Sequence, residues 1–317
     1  MTQVDAYNRP MIRIHTIDCN YIRPQFAAAY LIEDGKRACF IENNTTHAVP
    51  YLLKKLEEVG LKPDSVEWIM VTHAHLDHAG GTSALLPHCP NATLVAHPKA
   101  ARTLIDPTRL IASTQKVYGE ENFKNLYGVI TGIDAKRVKS MADGESFEWG
   151  ELEFSFLHTL GHSSHHFCIM EHSIGAIFTG DAFGVRYPQV SADFIFPSTS
   201  PIDFDPEEAK KSIHRIVDSG AAFAYLTHYG KLTDLKKAAK EILIHLEFHE
   251  EVLENAKKSP LMGKDLVQEC ASLLLGYFKK QLALKNIPDT PANWEVLNLD
   301  IEINAQGIAY VAEKSRL

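Results

Sequence analysis

With 317 residues, 45% of them hydrophobic and 23% charged, the chain has the balance of a globular protein and the length for one large domain, with or without an appendage. Its formal net charge of −8 and the lack of any lysine-arginine run argue against a nucleic-acid surface. No apolar stretch approaches the roughly eighteen residues needed to cross a membrane.

Residues 11–17 alternate apolar and polar and read as a strand, followed by a loop with Asn20, Arg23 and Pro24. Residues 26–32 and 38–41 are predicted to form a hairpin turning at Glu33-Asp34-Gly35-Lys36. Thr45 or Thr46 is expected to N-cap the next helix, with Pro50 in its first turn. Tyr51, Leu52, Leu56 and Val59 would form its inner face, and Gly60 would close it. Glu67-Trp68-Ile69-Met70-Val71 then reads as a buried strand.

That strand runs into Thr72-His73-Ala74-His75-Leu76-Asp77-His78, and the small residues Ala79-Gly80-Gly81-Thr82 let a helix start close behind it. In an extended loop alternate side chains share a face, which puts His73, His75 and Asp77 together and His78 at the helix entrance. Three imidazoles and a carboxylate this close together form the nitrogen-and-oxygen ligand set of zinc or iron. Sixteen histidines make a lone pair uninformative, but the density of this grouping outweighs a chance scatter.

Residues 93–96 read as another strand. Residues 98–130 turn helical through Ala100, Leu104, Leu110, Ile111, Val117, Phe123 and Leu126, broken at Gly119 and Gly128. This is long for a connection and reads as a cap shaping substrate access, slightly ahead of plain scaffolding. Strands resume at 145–149 and 151–157, and the latter leads into His158-Thr159-Leu160-Gly161-His162-Ser163-Ser164-His165-His166. Residues 167–170 and 176–178 follow, ending in Thr179-Gly180-Asp181, and residues 222–226 end in Thr227-His228-Tyr229-Gly230. Four strands thus each end in a small loop bearing His or Asp, so these side chains can converge at one edge of the sheets.

These pieces resemble the metallo-β-lactamase-fold superfamily of hydrolases: His73-x-His75-x-Asp77-His78, Gly161-His162-Ser163, Thr179-Gly180-Asp181 and Thr227-His228, in the family's order across roughly residues 10–230. The resemblance implies an α/β fold, the αβ/βα four-layer sandwich, with metals at one edge. It implies two divalent ions, zinc first, with iron or manganese as alternatives. His73, His75 and His162 would hold one ion, Asp77, His78 and His228 the other, and Asp181 would bridge them. His75 bears on the metal, because diiron redox members often carry an acid there. His165, His166 and His158 are read as orienting, packing or exposed groups, and His47, His88, His97, His172, His214, His245 and His249 as structural or solvent-facing. Thr72, Ser163 and Thr227 are candidates to orient the imidazoles, and Tyr229 is read as packing before substrate contact.

Beyond residue 230 the pattern is helical. Residues 232–258 and 263–284 read as helices, and 293–311 as a third, with a short strand at 300–305 as the alternative. The expected organisation is a catalytic domain over residues 1–230 and a helical extension over 231–317, as in glyoxalase II-like members. The extension either covers the sheet edge, or a dimer interface, or walls the substrate pocket.

The ligand set implies a mechanism. A hydroxide shared by two cations is a strong nucleophile at neutral pH. Asp77, expected to be catalytic, steers it and passes a proton to the leaving group. The expected activity is hydrolysis of a small thioester, ester or lactone. A non-haem iron redox or oxygen-binding protein, a phosphodiesterase and a metal-keeping sensor stay open. Lactonases of this family place a Tyr three positions after the bridging Asp, where this chain has Gly184, which counts against lactones. The expected partner is a small molecule, with no nucleic acid and no membrane, and a homodimer is left open. Cys19, Cys39, Cys89, Cys168 and Cys270 are odd in number, widely spaced and without a C-x-x-C pair. Buried thiols in a reducing cytoplasm follow, and Met1-Thr2-Gln3-Val4-Asp5 lacks a signal-peptide pattern.

Overall fold

The computed structural model describes residues 12–199 and 201–316, so Met11 of the first expected strand lies outside the described residues. The chain divides into two compact units. One holds the described residues up to Met141 together with Glu148–Glu151, and the other holds Ala142–Phe147 and the chain from Leu152 onward.

The first unit opens with β1 (Arg13–Asp18), β2 (Ala28–Asp34) and β3 (Arg37–Ile41), paired antiparallel. Gly35 makes the hairpin turn with φ +65°, a conformation that costs glycine little. Next come α1 (Val49–Glu58), β4 (Val66–Met70), α2 (Leu76–Ala79), α3 (Thr82–Leu85) and β5 (Thr93–Ala96). The expected long insertion is α4 (Pro98–Ile105), α5 (Thr108–Tyr118) and α6 (Glu120–Tyr127), before a short β6 (Val138–Ser140). The sheet order is β1-β2-β3-β4-β5-β6, with parallel pairing from β3 onward. Parallel strands need covered faces, and Leu31, Phe40, Leu52, Leu56, Ile69, Leu94 and Leu104 share one core.

Two local expectations fail in α1. Neither Thr45 nor Thr46 caps it, because a 3-10 turn over Thr46–Ala48 intervenes and the Thr46 hydroxyl donates to the Tyr127 carbonyl at 2.9 Å. Tyr51 is exposed rather than inward, since the buried stripe runs through Val49, Leu52 and Leu56.

The second sheet has the order β12-β11-β10-β9-β8-β7. Its strands are β7 (Ser146–Trp149), β8 (Leu152–His158), β9 (Phe167–Glu171), β10 (Ala176–Gly180), β11 (Phe223–Leu226) and β12 (Gly230–Leu232). Between β10 and β11 lies α7 (Pro206–Asp218), which the hydrophobic pattern did not reveal. Asp205 caps it, accepting from Glu207 N and Glu208 N at 3.0 and 3.1 Å, with Pro206 in the first turn. Three long helices close the chain, α8 (Leu235–Lys258), α9 (Gly263–Leu284) and α10 (Pro291–Lys314). The last is continuous, without the alternative strand at 300–305, because Leu297, Ile301, Asn304, Ile308 and Ala312 make one buried helical stripe. Each unit therefore supplies one sheet with its helices, the αβ and βα halves of the expected fold class, and a helical extension follows. Among the described residues, no helix is long and apolar enough to cross a membrane.

Candidate metal centre

In the first unit, β4 delivers the chain to His73 at the carboxyl end of the sheet. The loop stays extended only as far as His75, whose backbone has ψ 147°. The turn closes there, with His78 N and Ala79 N both donating to His75 O at 3.0 and 2.9 Å. So His78 lies within α2 rather than at its entrance, and Asp77 is reached by a helical step rather than by strand alternation. The result still gathers the side chains. The His73 ring lies 4.3 Å from that of His75 and 4.1 Å from that of His78, and Asp77 Oδ2 lies 3.8 Å from His78 Nε2.

Glu42, just past β3, was not singled out as a site residue, yet it organises this cluster. It is buried, accepts from His78 Nδ1 at 3.1 Å and accepts from the Thr72 hydroxyl. That hydroxyl has spent its proton, so at 3.0 Å from His73 Nδ1 it accepts. Both imidazoles are thus held with the proton on Nδ1, which leaves Nε2 as the nitrogen able to bind a metal.

The loop is braced as well. Asn43 N and Asn44 N donate to His78 O at 2.9 and 3.0 Å, and Gly81 N donates to Asn44 O at 2.7 Å. Asn44 Nδ2 donates to Asp77 O at 2.7 Å, and Asn43 Nδ2 to Thr82 Oγ1 at 2.8 Å. A Cβ at Gly81 would sit 2.6 Å from Asn43 O, so only glycine permits this approach. The insertion packs here too, through a cluster of Leu76, Phe123 and Tyr127.

In the second unit, His162, Asp181 and His228 come together from the loops after β8, β10 and β11. Gly161 has φ +112°, and a Cβ there would lie 2.2 Å from Ala209 N of α7, which is how the His162 loop packs so tightly. His162 Nδ1 donates to Ser198 O at 3.1 Å, again leaving Nε2 as the nitrogen able to bind a metal. Asp181 stands between the two imidazoles, with Oδ2 at 3.5 Å from His162 Nε2 and Oδ1 at 3.8 Å from His228 Nε2. Buried His166 accepts from Asp181 N at 3.3 Å and bonds Thr159 Oγ1 at 2.8 Å, so it orients Asp181 through the backbone.

These separations bear on metal fit. An N–H···O hydrogen bond clusters at about 2.9–3.0 Å. Two ligands on one tetrahedral ion with bonds near 2.0–2.1 Å sit about 3.4 Å apart. The contacts of 3.5 and 3.8 Å are longer than hydrogen bonds and match the spacing that two ligands of one ion would have. Imidazole nitrogens with fixed tautomers and carboxylate oxygens make up the donor set, which suits zinc, iron or manganese.

The family model of the metallo-beta-lactamase superfamily matches residues 23–228, from before the first cluster to His228 of the second. The chain belongs to the metallo-beta-lactamase superfamily. It is 26% identical over 274 residues to a metallo-beta-lactamase fold-containing protein of Sulfurisphaera tokodaii, covering 84% of this chain and 97% of that one. The solved structure of that archaeal protein superposes with a TM-score of 0.64 at 20% identity, over 94% of this chain and 99% of that one. A metallo-beta-lactamase family protein of Thermus thermophilus superposes with 0.62 at 20% identity, over 96% and 93% of the two chains. A hydroxyacylglutathione hydrolase of Aeromonas hydrophila is 26% identical over 172 residues, 54% of this chain and half of the hydrolase.

The histidines outside the superfamily motifs are accounted for otherwise. His97 Nδ1 caps α4 by accepting from Lys99 N at 3.1 Å, and His172 pairs with Ser155 Oγ at 2.7 Å. His47, His88 and His214 are exposed, whereas His245 and His249 are buried in α8. All five cysteines are buried thiols, and burial pushes Cys89 and Cys270 up to about 11.

Proposed function

We propose that the chain is a dinuclear metal-dependent hydrolase acting on small thioesters or esters in the cytoplasm. In this reading His73, His75 and His162 hold one ion, Asp77, His78 and His228 hold the second, and Asp181 serves both. The observation that carries it is the Asp181 carboxylate, one oxygen toward His162 and the other toward His228 at ligand-pair distances. A bridging carboxylate needs that two-sided arrangement.

Bound there, two divalent cations would acidify water and polarise a carbonyl. The chain's own groups do the rest. Glu42 and Thr72 keep the His73 and His78 imidazoles in the tautomer that offers Nε2. Asp77 is half-buried, and a carboxylate oxygen there can orient the attacking water and return its proton to the departing thiolate or alkoxide. The thioester preference draws on the hydroxyacylglutathione hydrolase relative, whose name describes thioester cleavage. Lactones are disfavoured because Gly184 has φ +75° and its Cβ position lies 2.7 Å from Phe196 O, leaving no room for a tyrosine.

The test combines metal analysis with a substrate panel. Purified metal-replete protein should carry close to two ions, His228→Ala should lose mainly one, and Asp181→Ala should weaken both. Zinc-loaded protein should cleave a glutathione- or coenzyme-A-type thioester faster than an acyl lactone, a β-lactam or a phosphodiester. One ion under replete conditions overturns the dinuclear claim. Full metal loading with no turnover on the panel moves the chain to redox or sensor chemistry.

A further inference from the structure

The stretch that leaves Asp181 runs past all three ligands of the second unit before reaching α7. Arg186 N donates to His228 O at 2.6 Å, and its Nε donates to Tyr229 O at 3.3 Å. Val185 and Phe196 then pair as an antiparallel bridge, and Ser198 returns to accept from His162 Nδ1. This strap is fastened to the C-terminal helices. Ile195 N donates to Glu241 Oε1 of α8 at 3.1 Å, and Tyr187 OH donates to Asp300 Oδ1 of α10 at 3.0 Å.

The tightest fastening surrounds Ser198. Asn304, buried on the apolar stripe of α10, donates from Nδ2 to Pro197 O at 3.0 Å and accepts at Oδ1 from Thr199 N at 2.7 Å. Its backbone carbonyl also accepts from the Thr199 hydroxyl at 3.2 Å. One amide therefore grips the residues on either side of Ser198. A carbonyl between two anchored peptides cannot turn without breaking those bonds, and this carbonyl holds His162.

The orientation of the amide is itself decided. His249 Nδ1 donates to His245 O at 2.7 Å, which leaves Nε2 an acceptor, and it faces Asn304 Nδ2 at 3.5 Å. The amino end of Asn304 belongs on that side, and its oxygen toward Thr199.

We propose that Asn304 is a positioning residue for the metal ligand His162, acting through the Ser198 carbonyl. The C-terminal extension thereby sets the geometry at an ion that Asn304 does not touch. The inference rests on the ligand role of His162 proposed above. Partners that orient a metal-bound histidine are typically worth ten- to a hundredfold in metal affinity, and a residue acting one step further out belongs at the lower end.

The test uses the full chain loaded with cobalt(II), whose visible absorption reports ligand geometry, with affinities from chelator competition. Asn304→Ala should weaken one of the two ions by about tenfold, alter its visible band, and leave the other ion within twofold. In a His162→Ala background the same substitution should change the remaining ion by less than twofold. Unchanged affinity and spectrum overturn the inference. So does an equal loss at both ions in both backgrounds, which marks general damage to the frame. If Asn304→Ala does not fold, Asn304→Asp carries the same comparison, because it keeps the acceptor for Thr199 N and removes the donor to Pro197. His162→Ala alone separates the two claims: retention of both ions by that variant overturns the ligand assignment itself.

Discussion

Glu42 sets the tautomer of His73 without touching it. The Thr72 hydroxyl stands between them, giving its proton to the Glu42 carboxylate and taking the hydrogen bond of His73 Nδ1 at 3.0 Å. The same carboxylate bonds His78 Nδ1 directly at 3.1 Å. One buried acid therefore aims two imidazoles, one expected at each ion.

Glu42→Gln should weaken both ions. The amide keeps the shape but not the charge that raises imidazole basicity, and the loss should be about tenfold or more at the His78 ion. The effect at His73 should be smaller, since the Thr72 hydroxyl can still rotate to suit a neutral partner. Stepwise chelator competition on the variant measures both. Equal affinities in variant and wild type would remove Glu42 from the metal-binding machinery.

Two glycines of positive φ, +78° at Gly60 and +112° at Gly161, should respond very differently to alanine. At Gly161 a Cβ would collide with the backbone of Ala209 at 2.2 Å, whereas at Gly60 nothing lies within 4 Å. Gly60→Ala should cost about 1 kcal/mol, the backbone penalty alone. Gly161→Ala should cost roughly 3 kcal/mol or more, because a main chain must move as well. It should also lower metal content by displacing His162. Denaturant titrations and metal analysis on the pair check this, and equal costs would contradict the packing argument.

Burial holds the His249 imidazole down at about 4, from 6.5. Because the folded value is depressed, the unfolded chain takes up the proton first as pH falls. The neutral buried ring is therefore fully tolerated above 6.5, and stability drains away between 6.5 and 4, by an amount on the order of 3 kcal/mol. Melting curves from about pH 7 to about pH 4.5 should fall more steeply for the wild type than for His249→Gln. Parallel curves would mean that His249 titrates normally.

Stopping the chain at residue 230 retains every proposed ligand and removes α8, α9 and α10, with all of β12 but Gly230. Phe194 and Phe196 would lose Phe278, whose ring lies 5.6 and 5.1 Å from theirs, and the clamp on Ser198 would go too. The truncated chain should aggregate through its bared apolar surface, and any soluble fraction should bind less metal. Gel filtration and metal analysis decide this. A monomeric, fully loaded fragment would make the extension a separate module.

The residues of both clusters were legible in the sequence because each follows a β-rich run and sits in a short polar loop. The helix at 263–284 was legible from its apolar spacing, and the reading of 293–311 fell within the helix found at Pro291–Lys314. Glu42 was not, because its role depends on strand pairing: Ile41 lies opposite Met70, which brings the residue after β3 beside Thr72. Asn304 was hidden for a similar reason, being 105 residues from Thr199 and embedded in an otherwise apolar helical stripe. The extended path expected for Asp77 failed because the carbonyl of His75 closes a helical turn early. Tyr51 was misplaced by hydrophobicity alone, which cannot say which edge of a helical stripe meets solvent.

The bracing of the first ligand loop limits where motion can occur. Swinging that loop aside would break the bonds of Asn43 and Asn44 to His78 O, of Gly81 to Asn44 O, and both asparagine side-chain bonds, in one event. Such an opening is a local unfolding step rather than a loop fluctuation, so the amides of Asn43, Asn44 and Gly81 belong among the slowest to exchange with deuterium. In the proposed hydrolase, the turnover cycle has to draw its mobility from elsewhere. Substrate would then enter, and product leave, past a loop that its own backbone bonds hold in place.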